Sequence, residues 1–177
     1  FNKVLANNLI FRKNTGNCRI SDTNYSFSIL NNLEIENTYL NTLSALTTSG
    51  TATINIGGNF IHNGSNIFRL ANNASAVITL NIDKNLQVNS GTLDVNFTSG
   101  ATSTINLKGD LTVGTTAALL ANNGTNATVN YNGTGDGLTS ETTQTIDVAN
   151  AATASNIAFN VNSGAYVRLI HQNLALG

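Results

Sequence analysis

One short phrase returns along this chain: two alternating apolar residues, two spacers, an Asn or Asp, then two more alternating apolar residues. It reads Phe27-x-Ile29-x-x-Asn32-Leu33-x-Ile35, Ile54-x-Ile56-x-x-Asn59-Phe60-x-His62, Leu80-x-Ile82-x-x-Asn85-Leu86-x-Val88 and Ile105-x-Leu107-x-x-Asp110-Leu111-x-Val113, with a shortened copy, Leu5-x-x-Asn8-Leu9-x-Phe11, at the start. The anchors Asn8, Asn32, Asn59, Asn85 and Asp110 stand 24 to 27 residues apart. Self-similarity at this period marks a solenoid, because one repeat is too small to bury its apolar face and is stable only when stacked on its neighbours.

The alternation has a period of two, which puts successive side chains on opposite faces of a strand and does not suit a helix. A third alternating run follows each anchor, as Phe68-x-Leu70, Leu93-x-Val95-x-Phe97 and Ala118-x-Leu120. The expected fold is all-β: a right-handed parallel β-helix over residues 1–177, with about seven coils of roughly 24–27 residues and three short strands per coil. With parallel strands ~4.8 Å apart, seven coils make a rod on the order of 34 Å long. Ile54, Leu80, Ile105 and Val129 should then form one interior column, and Ile56, Ile82, Leu107 and Tyr131 the next.

Corners are expected where positive φ is tolerated: Asn63-Gly64, Ser90-Gly91 and Gly114 after the second strand, and Asn72-Asn73, Ser99-Gly100 and Asn123-Gly124 after the third. The first corner holds the anchor, whose side chain can bond nearby backbone and tolerates left-handed or bridge geometry. Asn8, Asn32, Asn59, Asn85, Asp110, Asn156 and Asn173 are therefore read as one corner ladder, stacked side chain on side chain. Large apolar residues thin out over 132–155, which predicts an irregular coil or loop, and the short interval from Asn156 to Asn173 predicts a changed cross-section. Lys3 and Arg168 fall where apolar strand residues are expected, and His62 replaces an aliphatic one.

Only 10% of the residues are charged, the net charge is -1, and the eight Lys and Arg are scattered without interleaved aromatics, so nucleic acid is not an expected partner. The longest apolar run, Ala117 to Ala121, is far short of the roughly 20 residues a membrane-spanning helix needs. Asn is abundant, at 31 residues, yet the apolar residues keep step with the repeat, so the chain is read as a stack with a buried stripe and not as a disordered polar tract. Cys18, the one cysteine, permits no internal disulfide and is read as a small buried residue. The chain begins inside one copy of the phrase and ends just after another, Asn173-Leu174-Ala175-Leu176, and flanking repeats of the same chain are therefore expected partners.

Candidate chemistry is sparse. His62 and His171 have no second His or Cys at ligand spacing, and no cofactor or metal is expected. Asp83, Asp94 and Asp110 come nearest to a carboxylate set but are placed on different faces of the coil. The Asn132-Gly-Thr-Gly-Asp136-Gly137 segment is read as a plain turn, since it has one carboxylate where a hard cation wants several oxygen ligands. The most orderly exposed feature is a polar grid on the first strand: Thr53 and Asn55, Thr79 and Asn81, Thr104 and Asn106, Thr128 and Asn130, headed by Ser26 and Ser28. Alternation turns these outward when the neighbouring Ile and Leu turn in.

The segment Val129-Asn-Tyr131-Asn-Gly133-Thr134, followed by Thr143-Gln144-Thr145-Ile146, Asn156-Ile157-Ala158-Phe159 and Gln172-Asn173-Leu174-Ala175-Leu176, resembles the "FNGT…QTI…NLTI…NLTV" units of large Bacteroidetes cell-surface adhesin-like proteins. Ile54-Asn-Ile56-Gly-Gly-Asn59-Phe60 and Ile105-Asn-Leu107-Lys-Gly-Asp110-Leu111 resemble the "LNVGGNFTV" units of the same proteins. The resemblance implies an extracellular or cell-surface stalk or adhesive segment, exported by type IX secretion, without catalysis, meeting surface glycans or the secretion machinery. Two alternatives stay open: a carbohydrate-active β-helix enzyme, which predicts clustered carboxylates in a groove, and a glycan- or ice-binding solenoid. Ice binding predicts an unbroken Thr-x-Thr column, which Thr51-Ala-Thr53 and Thr102-Ser-Thr104 meet and Val77 interrupts.

Overall fold

The computed structural model describes residues 2–12, 18–21, 24–36, 43–46, 49–122, 126–134, 143–149 and 153–170, and among them there are only strands and connecting turns. The first coil is β1 (Asn2–Ala6), β2 (Leu9–Phe11) and β3 (Cys18–Ser21), and the second is β4 (Tyr25–Ile29), β5 (Leu33–Ile35) and β6 (Leu43–Leu46). The third is β7 (Gly50–Ile56), β8 (Phe60–His62) and β9 (Ile67–Ala71). In the fourth and fifth, β10 (Ala76–Ile82) and β12 (Thr102–Leu107) are followed by the long strands β11 (Leu86–Asn96) and β13 (Leu111–Leu120). Next come β14 (Ala127–Tyr131), β15 (Gln144–Val148) and β16 (Thr153–Ser155), and finally β17 (Ala158–Val161) and β18 (Val167–Leu169).

Every pairing is parallel and joins equivalent strands of adjacent coils. The chain is a parallel β-helix. The first face is a seven-stranded sheet in the order β1-β4-β7-β10-β12-β14-β17. The second and third faces belong to one sheet, because β11 and β13 run across both. The coil count differs slightly from the seven expected: the third face has six paired strands, namely β3, β6, β9, the ends of β11 and β13, and β16.

The interior is layered as the repeat implies. Leu80 pairs with Ile54 on one side and Ile105 on the other, and the column runs from Phe27 to Val129. Ile29, Ile56, Ile82, Leu107 and Tyr131 form its neighbour, and all five are 0–1% exposed. Leu33, Phe60, Leu86, Leu111 and Ile146 line the second face. Fully burying such a side chain contributes roughly 1.5–3 kcal/mol, and parallel pairing satisfies the backbone above and below at the same time.

The second corner departs from the expected loose turn. In the fourth and fifth coils it is a bulge inside a continuous strand, with the register shifting between Val88 and Ser90. Val88 pairs with Val113 but Ser90 with Thr116, so the fifth coil carries one more residue there. As a result Ala117 and Leu119, and not Ala118 and Leu120, face the core, with Leu119 lying over Leu93. A one-residue slip exchanges the two faces of a strand. Among the described residues, positive φ at the third corner falls at Asn24, Gly50, Gly100 and Asn156, while Asn72 and Asn73, expected to hold it, do not, and Asn123-Gly124 lies outside the described residues. None of the first-corner anchors Asn8, Asn32, Asn59, Asn85 and Asp110 is left-handed.

Within 132–155, where an irregular coil or loop is expected, the described residues are 132–134, 143–149 and 153–155, and they include two regular strands. β15 and β16 both pair with β13, and Ile146 and Val148 extend the interior columns. Gln144 closes the corner: its Oε1 accepts from the Gly133 amide (2.7 Å), and its Nε2 donates to the carbonyls of Leu107 (3.1 Å) and Gly109 (2.6 Å). Arg168 pairs with Thr145 and is exposed, so it faces solvent and not an apolar site. The backbone of Lys3 pairs with Phe27 and that of Cys18 with Leu43, but their side chains lie outside the described residues, as do all of His171, Asn173 and Asp136 to Gly137.

Candidate functional site

The corner anchors form a ladder different from the one expected. Each side-chain oxygen accepts from the backbone amide of the next anchor: Asn32 N–H to Asn8 Oδ1 (3.1 Å), Asn59 to Asn32 (2.8 Å), Asn85 to Asn59 (3.1 Å) and Asp110 to Asn85 (2.9 Å). Asp110 Oδ1 in turn accepts from Thr145 N–H at 2.7 Å. An acceptor is all the position needs, which is why Asp substitutes for Asn. Asn156 is not a member. It lies on the third corner with φ 58°, and its amide donates to the Ala121 carbonyl.

Side chains do stack on side chains, but on the open first face. Asn81 Nδ2 donates to Asn55 Oδ1 (2.8 Å), Asn106 to Asn81 (2.8 Å), Asn130 to Asn106 (2.9 Å) and Asn160 to Asn130 (3.1 Å), while Asn55 donates to Ser28 Oγ (3.3 Å). The series points one way along the rod, an arrangement in which each bond polarises the next. Asn is a poor strand residue, and a net hydrogen bond of about 0.5–1.5 kcal/mol offsets that deficit at each rung. Each amide has two N–H groups and an oxygen with two lone pairs, so within the column one N–H and one lone pair per Asn remain for an external partner.

Beside the amides, Ser26, Thr53, Thr79, Thr104 and Thr128 are in register in a hydroxyl column. The grid read from the sequence is thus brought together: Thr53, Asn55, Thr79, Asn81, Thr104, Asn106, Thr128 and Asn130 occupy one face, all partly exposed. Sequence reasoning missed the bonding within the column and its extension to Asn160. The signal was the outward Asn of Ile54-Asn-Ile56, Leu80-Asn-Ile82, Ile105-Asn-Leu107, Val129-Asn-Tyr131 and Phe159-Asn-Val161.

The three candidate acids are each held by separate partners. Asp83 and Asp110 share the first corner instead of separate faces, but Asp83 is held by Lys108 Nζ at 2.7 Å and Asp110 by the Thr145 amide. Asp94 lies on the third face, 2% exposed, where burial pushes its carboxyl above the ordinary range against the pull of the Asn122 amide and Arg69. Among the described residues no group of three or more His, Cys, Asp or Glu is placed to hold a metal ion, and no helix is long and apolar enough to cross a membrane.

His62 points inward and is fully buried between Ile35 and Val88. Its Nε2 lies 3.1 Å from the Asn66 carbonyl and acts as the donor, leaving Nδ1 without a partner. Burial holds the imidazole below its ordinary value. Above pH ~6.5 it is neutral both folded and unfolded; below that, only the unfolded chain takes up the proton, so stability falls as pH drops toward the folded value. His62→Ile, which matches Ile35 above it, is expected to flatten this acid slope and raise stability by roughly 1–2 kcal/mol by removing an unsatisfied buried nitrogen. Urea midpoints of both proteins at about pH 7.5 and about pH 5 measure it, and parallel slopes would assign the acid sensitivity to other groups.

Fold and site together define a parallel β-solenoid that presents an ordered, uncharged polar face. No protein family, curated protein or solved structure matches the chain.

Proposed function

We propose that this chain is a structural and adhesive segment of a secreted bacterial cell-surface protein, a non-catalytic stalk whose first face meets glycans or another ordered polar surface. The observation that carries the reading is the in-register Thr and Asn grid, in which each rung offers a hydroxyl, an amide N–H and an amide oxygen at one strand spacing, ~4.8 Å. Many weak hydrogen bonds from a rigid array suit an extended hydroxyl-rich polymer, since little side-chain freedom is lost on contact. The likeness of its repeats to those of Bacteroidetes adhesin-like proteins supports the surface location and export by type IX secretion. The candidate carboxylates, held by separate partners, favour this reading over a carbohydrate-active enzyme, and the exposed Val77 in the outer column favours it over an ice-binding sheet.

The test is adhesion of the purified chain to glycan arrays and polysaccharide-coated particles, before and after combining Thr79→Arg with Thr104→Arg. Both sites face outward, so the far-ultraviolet dichroism should not change, while binding is expected to fall at least tenfold. The wild-type interaction should also be nearly indifferent to salt, because the grid carries no charge to screen. Undiminished binding by a folded double variant would remove the reading.

A further inference from the structure

Beside the amide column, the first corner carries an outward row set by successive backbone bonds: Gly57 N–H to Ile29 O, Asp83 N–H to Ile56 O and Lys108 N–H to Ile82 O. The row therefore reads Leu30, Gly57, Asp83, Lys108, and at Gly57 it has no side chain. None fits, because a Cβ there would lie 2.2 Å from the Leu30 carbonyl oxygen. Beside Gly57 lies a shallow, open notch of about 450 Å³, bordered by Leu30, Asp83, Ser28, Asn55 and Asn81. That volume is within the range of small-ligand sites, roughly 300–1,000 Å³.

We infer that this notch is a saccharide subsite that takes one neutral pyranose ring, lying over Gly57 between Leu30 and Asp83. The two walls stand two strand spacings apart, roughly 9–10 Å, which leaves room for a single ring. Leu30, 54% exposed, offers an apolar patch to the C–H face of a sugar. Asp83 Oδ1 is taken by Lys108 at 2.7 Å, which leaves Oδ2 to accept from a ring hydroxyl. Asn55 and Asn81 each spend one amide N–H on the ladder and retain the other to donate to sugar oxygens. An apolar edge, a carboxylate acceptor and two amide donors around a side-chain-free floor match a ring with one C–H face and a rim of hydroxyls. The inference rests on the adhesive reading for its biological use, and it gives that reading a stereospecific point on a grid that is otherwise uniform.

The experiment is a nuclear magnetic resonance titration of the isotope-labelled chain with the methyl glycosides of glucose, galactose, mannose and N-acetylglucosamine. At least one is expected to shift, saturably, the side-chain amides of Asn55 and Asn81 and the backbone amide of Gly57. Leu30→Arg and Asp83→Ala, both at exposed sites, should each weaken that binding at least tenfold, whereas Gln87→Arg, outward on the second face and outside the polar grid, should leave it unchanged. No shift with any of the four glycosides, shifts spread evenly along the Asn column, or shifts that survive Leu30→Arg would each overturn the subsite. Lost adhesion in the Thr79 and Thr104 variant with a silent notch keeps the grid and removes the subsite. Local shifts in a chain that adheres to nothing keep the subsite and remove the adhesive role.

Discussion

Replacing Gly91 with alanine is expected to destabilise the central coils by roughly 2–5 kcal/mol, the sum of backbone strain and overpacking. Gly91 has φ +66° within the bulge that turns β11 from the second face to the third, and a Cβ there would lie 2.3 Å from the Gly64 carbonyl oxygen, 2.5 Å from that of Asn66 and 2.9 Å from the Ser65 carbonyl carbon. All three contacts are backbone of the turn between β8 and β9, whose Asn66 carbonyl is fixed by the Thr92 amide, so the neighbour cannot give way as a flexible side chain would. Gly164 separates the two contributions. It has φ +85° but nothing within 4 Å, so Gly164→Ala is expected to cost only the strain, on the order of 1 kcal/mol. Urea unfolding followed by circular dichroism measures both, and equal losses at the two positions would show that close approach of coils at the second corner is not what limits Gly91.

Truncating Leu80 to alanine is the second large effect, expected in the upper part of the 2–5 kcal/mol range for such changes. Leu80 is 0% exposed at the centre of its column, and its neighbours Ile54 and Ile105 sit on strands whose backbones are paired on both sides. Coil spacing is set by hydrogen bonds and not by side-chain size, so the walls cannot collapse into the space. Because a solenoid is stabilised by nearest-neighbour interfaces, the damage should be local. Amide exchange is expected to accelerate in β7, β10 and β12 well before β2 and β5. Val77→Ala, on the outward side of the same strand and 43% exposed, should change stability by less than about 0.5 kcal/mol. Uniform acceleration over the whole chain would argue against a nearest-neighbour stack.

Much of this was legible in the residues because the interior is built by repetition. A period of two, restarted at each anchor, assigns inward and outward positions, and equivalence between copies then assigns the columns. Where the reading slipped, the frame was degenerate. Asn156-Ile157-Ala158-Phe159 fits an anchor followed by a second strand equally well as a third corner followed by a first strand, and the pairing of β17 with β14 decides for the latter. The frame of Ala118 and Leu120 failed for a related reason, since one additional corner residue before β13 turns onto the third face inverts every position after it. The coil near Gln144 was hidden because a buried amide side chain there does work that a run of aliphatics does elsewhere.

The candidate surface divides in the same way. Its membership followed from alternation alone, but its bonding did not. Two Asn columns were available, and local sequence does not say which presents its amides to one another and which presents an oxygen to backbone. At the corner, the anchor oxygen meets the amide N–H of the next coil, while on the flat face the backbone is consumed by strand pairing and only the side chains are left to bond. The amino-acid order by itself determined the coil, its interior columns and its polar face, because periodicity is a local property that stacking preserves. The tertiary structure alone decided the bulge at Gly91, the corner at Gln144, the polarity of the amide ladder and the notch over Gly57, because each depends on how close one coil lies to the next.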